Sequence, residues 1–158
     1  MGLNQGMQPI AGYNFGAKLY GRVNKVLRLT IIYATAVTTF GFLVGMLVPD
    51  LVVGIFTSDA ELTELSVTGL RITVMFFPII GFQMVTSNFF QSIGMAGKAI
   101  FLSLTRQMLI LLPCLLVLPQ FFGVAGVWYS MPVSDLLASL IALVMLVCQF
   151  RKFRTSPL

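Results

Sequence analysis

Apolar positions along this chain come in long unbroken runs, not in the alternating or one-sided patterns of water-soluble elements. Leu29 to Pro49, Ile72 to Gly97 and Gln107 to Ser134 each contain no charged residue. A helix that crosses hydrocarbon needs about 20 mostly apolar residues, and every one of these runs is long enough. Bilayer-embedded backbone must satisfy its own hydrogen bonds, which leaves helices or closed barrels. Barrel strands are segments of about 10 residues with alternating polarity, and nothing here alternates in that way. The pattern predicts an all-α polytopic membrane protein with one partial helix and four spans.

The partial helix covers roughly residues 1–17. The first full span is expected from about Arg28 to Val48, ending at the Pro49-Asp50 break, with LVVGIF after it lying at the membrane surface. Ser58-Asp59-Ala60-Glu61 reads as a capping box, Ser58 capping and Glu61 reaching back. The second span is expected over about Leu65 to Ile93, broken by Pro78 and Gly81. The third runs from about Ala99 to Leu118 around Pro113, and the fourth from about Val124 to Phe150 around Pro132. Each mid-span proline frees backbone groups and bends its helix. Gly41 and Gly45 form a GxxxG spacing suited to close helix packing. The chain divides into a helix end (1–17), a four-helix membrane part (18–150) and a basic tail (151–158).

Composition agrees with the runs: 58% of the 158 residues are hydrophobic, 9% are charged and the mean hydropathy is +0.95. Soluble domains are roughly 25% charged. The absence of a continuous apolar run in the first 25 residues argues against a signal peptide. Charge placement then supplies an orientation. Lys18, Arg22, Lys25, Arg28, Lys98, Arg106, Arg151, Lys152 and Arg154 fall on one side of the alternating spans. Asp50, Asp59, Glu61 and Glu64 fall on the other, with Arg71 near them. Lys/Arg-rich loops face the cytoplasm, so the loop after the first helix and the C-terminus are expected there. The net charge of +5 accordingly reflects topology and lipid contact, not nucleic-acid binding.

Histidine is absent, the five acids lie mostly in one loop region, and there is no GxSxG-type elbow. Acid–base or metal-assisted catalysis has little to work with, so the reading is a non-enzyme with no metal and no cofactor. Cys114 and Cys148 are expected at opposite depths, too far apart to pair. Polar texture within the spans is the candidate chemistry. Gln83, Ser87 and Gln91 recur at i, i+4 and i+8 in the second span, flanked by Thr86 and Asn88, beside Met75 and Met84. An uncharged hydrogen-bonding stripe with adaptable methionines suits a cavity for amphipathic organic molecules. The same residues also serve helix-to-helix bonding, at about 0.6 kcal/mol each. Asp135 lies about 8 residues, roughly 12 Å, inside the fourth span. Carboxylates at such depth mark a partner or a pathway. The reading is an ion pair with Arg71, and alternatively a protonation or cation-coupling site. Arg106 reads as snorkelling to the headgroups.

The residues Gly6 to Val23, GMQPIAGYNFGAKLYGRV, closely resemble the signature of the multidrug and toxic compound extrusion (MATE) family of secondary transporters. In that family a helix ends in G-x-Q-P-I-x-G-Y-N-x-G-A and enters a basic cytoplasmic loop. Here Gln8, Pro9, Gly12, Tyr13, Asn14, Gly16 and Ala17 occupy the pattern. FFQSIGMAGKAIFLSLTRQ, Phe89 to Gln107, resembles the junction of the family's tenth and eleventh helices. FFGVAGVWYSMPVSD, Phe121 to Asp135, resembles the entry to its twelfth.

The resemblance implies the end of helix eight plus helices nine to twelve, within the C-terminal six-helix lobe of a twelve-helix fold. It implies a fragment whose partners are the missing N-terminal lobe, the lipid bilayer and small organic substrates, in the inner (plasma) membrane. The implied function is efflux of organic, often cationic, compounds in antiport with H+ or Na+. No coupling residue transfers to this chain, since the tenth-helix region has no acid beyond Glu64 at its mouth. A cavity role carries over to Gln83, Ser87, Asn88 and Gln91. Two alternatives stand beside it: a lipid-linked oligosaccharide flippase of related fold, and a non-transporting scaffold or partner subunit.

Overall fold

A computed structural model describes residues 2–57 and 59–155. All regular structure among them is helical: α1 (Gly2–Gly16), α2 (Tyr20–Leu47), α3 (Pro49–Gly54), α4 (Ala60–Val74), α5 (Phe77–Ser92), α6 (Ala96–Leu104), a π-helical turn (Thr105–Leu111), α7 (Leu112–Phe122) and α8 (Val124–Thr155). Three continuous helical stretches, Tyr20–Leu47, Ala96–Phe122 and Val124–Lys152, are long and apolar enough to cross a bilayer. The pair α4 and α5 makes a fourth span bent by 50°.

The proline expectations resolve at particular atoms. Val48 leaves helical geometry at φ −131°, ψ 48°, and Pro49 opens α3, because a residue before proline is pushed away from the α region. The bend between α4 and α5 falls at Met75–Phe76, and Pro78 sits in the first turn of α5, where its missing N–H has no intrahelical partner to lose. Gly81 breaks nothing. It lets α5 approach α2, where an added Cβ would lie 2.7 Å from the Thr38 hydroxyl and 3.0 Å from the Ala34 carbonyl. Ahead of Pro113, which cannot donate to the preceding turn, the helix widens and Leu112 N–H bonds the Gln107 carbonyl five residues back. Such π turns are rare and cluster where a helix has a task beyond spanning.

Other boundaries shift. α2 begins eight residues before the expected Arg28, so Arg22, Lys25 and Arg28 lie on helix with exposed heads. The expected cap Ser58 lies outside the described residues; the N-cap of α4 is Asp59, whose carboxylate accepts from the N–H of Glu61 (3.0 Å) and Leu62 (3.2 Å). In the GxxxG pair Gly45 is the buried member, with Val74 Cγ2 3.0 Å from where a Cβ would stand. Gly41 has only the Phe77 ring at 3.7 Å.

α5 is the centre of the bundle, packed against α1, α2, α6 and α8. The core gathers Phe89, Phe90 and Val85 of α5, Val23 and Leu27 of α2, Leu102 of α6, and Ala142 and Leu146 of α8. Most large apolar side chains point outward instead, Tyr33, Val37, Phe40, Leu109 and Leu116 among them, as a bilayer-facing surface requires. The basic end of the bundle carries Lys98 and Arg151, and the acidic end carries Asp50, Asp59, Glu61 and Glu64.

Candidate functional site

The polar positions of the second span do not form one stripe. Successive i+4 steps on a helix drift by about 40°, so Gln83, Ser87 and Gln91 fan across about 80°, from the core side of α5 to its open side. Gln83 points into the core at 4% exposure, and its Oε1 has no hydrogen-bond partner. Ser87 and Gln91 open on a groove of about 260 Å³ shared with Ala96, Ala99, Ile100 and Ser103, and the Ser87 hydroxyl donates to the Ala99 carbonyl at 3.4 Å. Asn88, about 60° round the helix from Gln91, faces α1. Its Oδ1 accepts from Gln8 Nε2 at 3.4 Å, while its own amide donates to the Met84 carbonyl at 2.9 Å.

That contact explains much of the motif on α1. Gln8 ties α1 to α5, and Gly12 allows the approach, because a Cβ there would stand 2.9 Å from the Ser92 carbonyl oxygen. Pro9 lies inside the helix on its exposed side. Asn14 is buried, donates to the Ile10 carbonyl at 2.8 Å, and receives the Leu19 N–H on its own carbonyl at 2.9 Å. Gly16 is the last helical residue, Ala17 N–H bonds the Tyr13 carbonyl, and Lys18 turns the chain at φ +57°. Tyr13 is 77% exposed. α1 and α5 run parallel in this pairing, Gln8 beside Asn88 and Gly12 beside Ser92. Residues three or four apart share a face, which sets exposed Gln5, Met84 and Gln91 alongside the Gln8–Asn88 bridge. The result is a row of neutral amides with one methionine, able to donate and accept hydrogen bonds without imposing a charge.

Asp135 has a partner other than the expected one. Arg71 lies on an exposed face of α4, while Arg106 in the π turn places Nε 2.8 Å and Nη2 2.7 Å from Asp135 Oδ1. Depth accounts for the correction. α6 begins at Ala96, so Arg106 sits about 15 Å from the basic end. α8 begins at Val124, so Asp135 sits about 16 Å from the acidic end. Together these distances span a hydrocarbon core of about 30 Å, and the two residues meet near its middle. Arg106 therefore pairs internally and does not snorkel. A carboxylate 3% exposed at that depth is tolerable because the guanidinium compensates it.

Sequence reasoning missed a buried serine row on α8. Ser130, Ser134 and Ser139 donate to the carbonyls of Gly126, Met131 and Leu136 at 2.8–2.9 Å. Its signal was the i, i+4 spacing of Ser130 with Ser134 and of Asp135 with Ser139. Near the basic end Lys98 bonds Gln149 and stands 5.3 Å over the Phe90 ring. At the acidic end Asp59, Glu61, Glu64, Leu62, Leu65 and Thr68 border an open depression of about 530 Å³. Among the described residues no three His, Cys, Asp or Glu side chains group as metal ligands, and Cys114 and Cys148 are free thiols.

The geometry has counterparts in known proteins. The MatE family profile matches residues 1–117. The chain is similar to the multidrug export protein MepA of Staphylococcus aureus, 26% identical over 143 residues, covering 90% of this chain and 31% of that protein. An inward-facing multidrug resistance MATE family transporter of the MOP superfamily superposes with a TM-score of 0.91 at 20% identity, over 99% of this chain and 37% of the other. The Vibrio cholerae MATE transporter VcmN in its bent form superposes at 0.85 with 20% identity, over 95% and 34%. The chain thus spans about a third of the length of the relatives it matches.

Proposed function

The chain belongs to the MatE family, and on that premise we propose that it works within a multidrug exporter, exchanging organic, often cationic, compounds for inward H+ or Na+. The observation that carries this reading is the seam between α1 and α5. A charge-free row of amides, Gln5, Gln8, Asn88 and Gln91, beside flexible Met84, tolerates varied amphipathic shapes. It makes hydrogen bonds without demanding one sign of charge. In this reading the seam faces the rest of the transporter, which supplies the opposing wall in the way a second lobe does. Export then follows from rocking of one half against the other. The basic end faces the cytoplasm of the plasma membrane by the positive-inside rule, and no residue of this chain is assigned to the coupling ion. A flippase for anionic lipid-linked substrates fits less well, since Arg106 is already neutralised by Asp135 and Arg71 lies outside the bundle on α4.

The test is ethidium efflux from pump-deficient cells. They would express these 158 residues alone, or together with the remaining two-thirds of a MepA-type transporter. The expected result is efflux only when both parts are present. Gln8→Leu and Asn88→Leu should each lower its rate by about 3–10-fold, the equivalent of about 0.7–1.4 kcal/mol, at unchanged membrane level. Efflux by the 158 residues alone, or no loss with either substitution, overturns the reading.

A further inference from the structure

Three weak points in the bundle, a bend, a π turn and a proline within a helix, lie at one level. α5 and α6 run antiparallel, and the Ser87–Ala99 hydrogen bond sets their register. Counting from it, Pro78, at the bend between α4 and α5, lies level with Met108, in the middle of the π turn. The third is Pro132, inside the continuous helix α8, where no N–H reaches back to the Trp128 carbonyl; it lies three residues, or about 4.5 Å, from Asp135 toward the acidic end. The π turn is centred a similar distance beyond Arg106 in the same direction. The fourth span, α2, contains no proline and is continuous.

On the basic side of this level the helices are locked together. Ala99 and Leu102 of α6 are in the core, Ser87 donates to the Ala99 carbonyl, and Lys98 bonds Gln149. On the acidic side α4, α7 and α8 hold one another. α7 has no buried residue and is held by α8 through backbone contact: a Cβ on Gly126 would stand 2.4 Å from the Leu118 carbonyl oxygen. Gly123, at φ +58°, makes the turn between them. Trp128 of α8 in turn packs on Gly69 of α4, where a Cβ would be 2.8 Å from the indole. The acidic ends of α4, α7 and α8 are therefore one body, continuous with the rest through these three weak points and resting on α2 where Val74 packs against Gly45. The Arg106–Asp135 pair lies beside that level and ties the π turn to α8.

We propose that the bend at Met75–Phe76, the π turn Thr105–Leu111 and Pro132 form a hinge plane about which the acidic-end body tilts, and that the Arg106–Asp135 pair is the latch that holds it shut. With the pair intact, the widened turn is pinned against α8 and the three weak points stay in register. With it open, the weak points flex together, because Gly126 and Trp128 transmit the motion of α7 and α8 to α4.

The experiment is amide hydrogen exchange of the full chain in lipid nanodiscs, comparing the native sequence with Asp135→Asn and Arg106→Gln. Exchange should rise about tenfold over residues 75–80, 105–113 and 128–134, with residues 85–102 unchanged. Residues 75–80 are decisive, since they belong to a different span from either member of the pair. Arg106→Lys, which keeps the charge but loses the two-nitrogen contact, should give a smaller rise in the same three segments. The swap of Arg106→Asp with Asp135→Arg should return exchange toward the native level, which separates loss of the pair from a general folding defect. A rise confined to the neighbourhood of residues 106 and 135, a uniform rise along the chain, or no change overturns the proposal.

Discussion

Replacing Gly126 with alanine tests the packing of α7 against α8 at the point where it is least forgiving. The new Cβ would lie 2.4 Å from the Leu118 oxygen, 2.5 Å from its carbonyl carbon and 2.6 Å from the Pro119 nitrogen. Ordinary contact begins at 3.4 Å, so the two helices must part by about 1 Å. The obstructing atoms are backbone and cannot rotate aside. Overpacking of this kind costs about 2–3 kcal/mol. At about 2–4 °C per kcal/mol for a chain of this length, the midpoint should fall by about 4–12 °C. The chain has one tryptophan, Trp128, which packs on Gly69 only two residues from the substitution, so its fluorescence during heating in nanodiscs reads the disturbance directly. Gly97→Ala is the counterpart. No atom lies within 4 Å of that Cβ, and alanine is preferred over glycine in a helix by about 0.5–1 kcal/mol. Its midpoint should stay level or rise slightly. If Gly126→Ala melts at the native temperature, or Gly97→Ala falls as far, the backbone contact is not what holds α7.

Two further outcomes follow from single contacts. Asp59→Ala removes the acceptor for the N–H groups of Glu61 and Leu62; it should cost about 1 kcal/mol and speed exchange of those two amides without altering the rest of the bundle. Phe89→Ala, at a side chain with no exposure in the core, should cost about 3–5 kcal/mol. Phe40→Ala, on a side chain 69% exposed, should shift the melting midpoint by far less. Equal losses at the two positions would refute the placement of the core.

Much of the architecture was legible because its signals are local. A charge-free run such as Gln107 to Ser134 has no solution in water, and the backbone in hydrocarbon has few solutions other than helix. Three prolines acted where they stand, while α8 runs through Pro132 unbroken: Pro49 ended one helix, Pro78 bent the second span, and Pro113 widened the third. The signature residues Gln8 and Gly12 belong to a local pattern whose role became visible only against Asn88 and Ser92. Gly81 misled because a glycine in a helix reads equally as a break or as a close approach, and only the Thr38 hydroxyl beyond it decides.

What the sequence by itself determined was therefore the spans, their breaks, the separation of basic from acidic ends and the resemblance to one family. Each depends on neighbours along the chain. The tertiary structure decided which polar groups meet. Asp135 chose Arg106 over Arg71 because two antiparallel helices set both residues about 15 Å from opposite ends of the same membrane. Gln83 parted from Ser87 and Gln91 because the rotation of α5, set by Gly12 and Gly81, turns it into the core while the other two open on one groove. Depth and rotation are properties of packed helices, and no spacing along one chain encodes them alone.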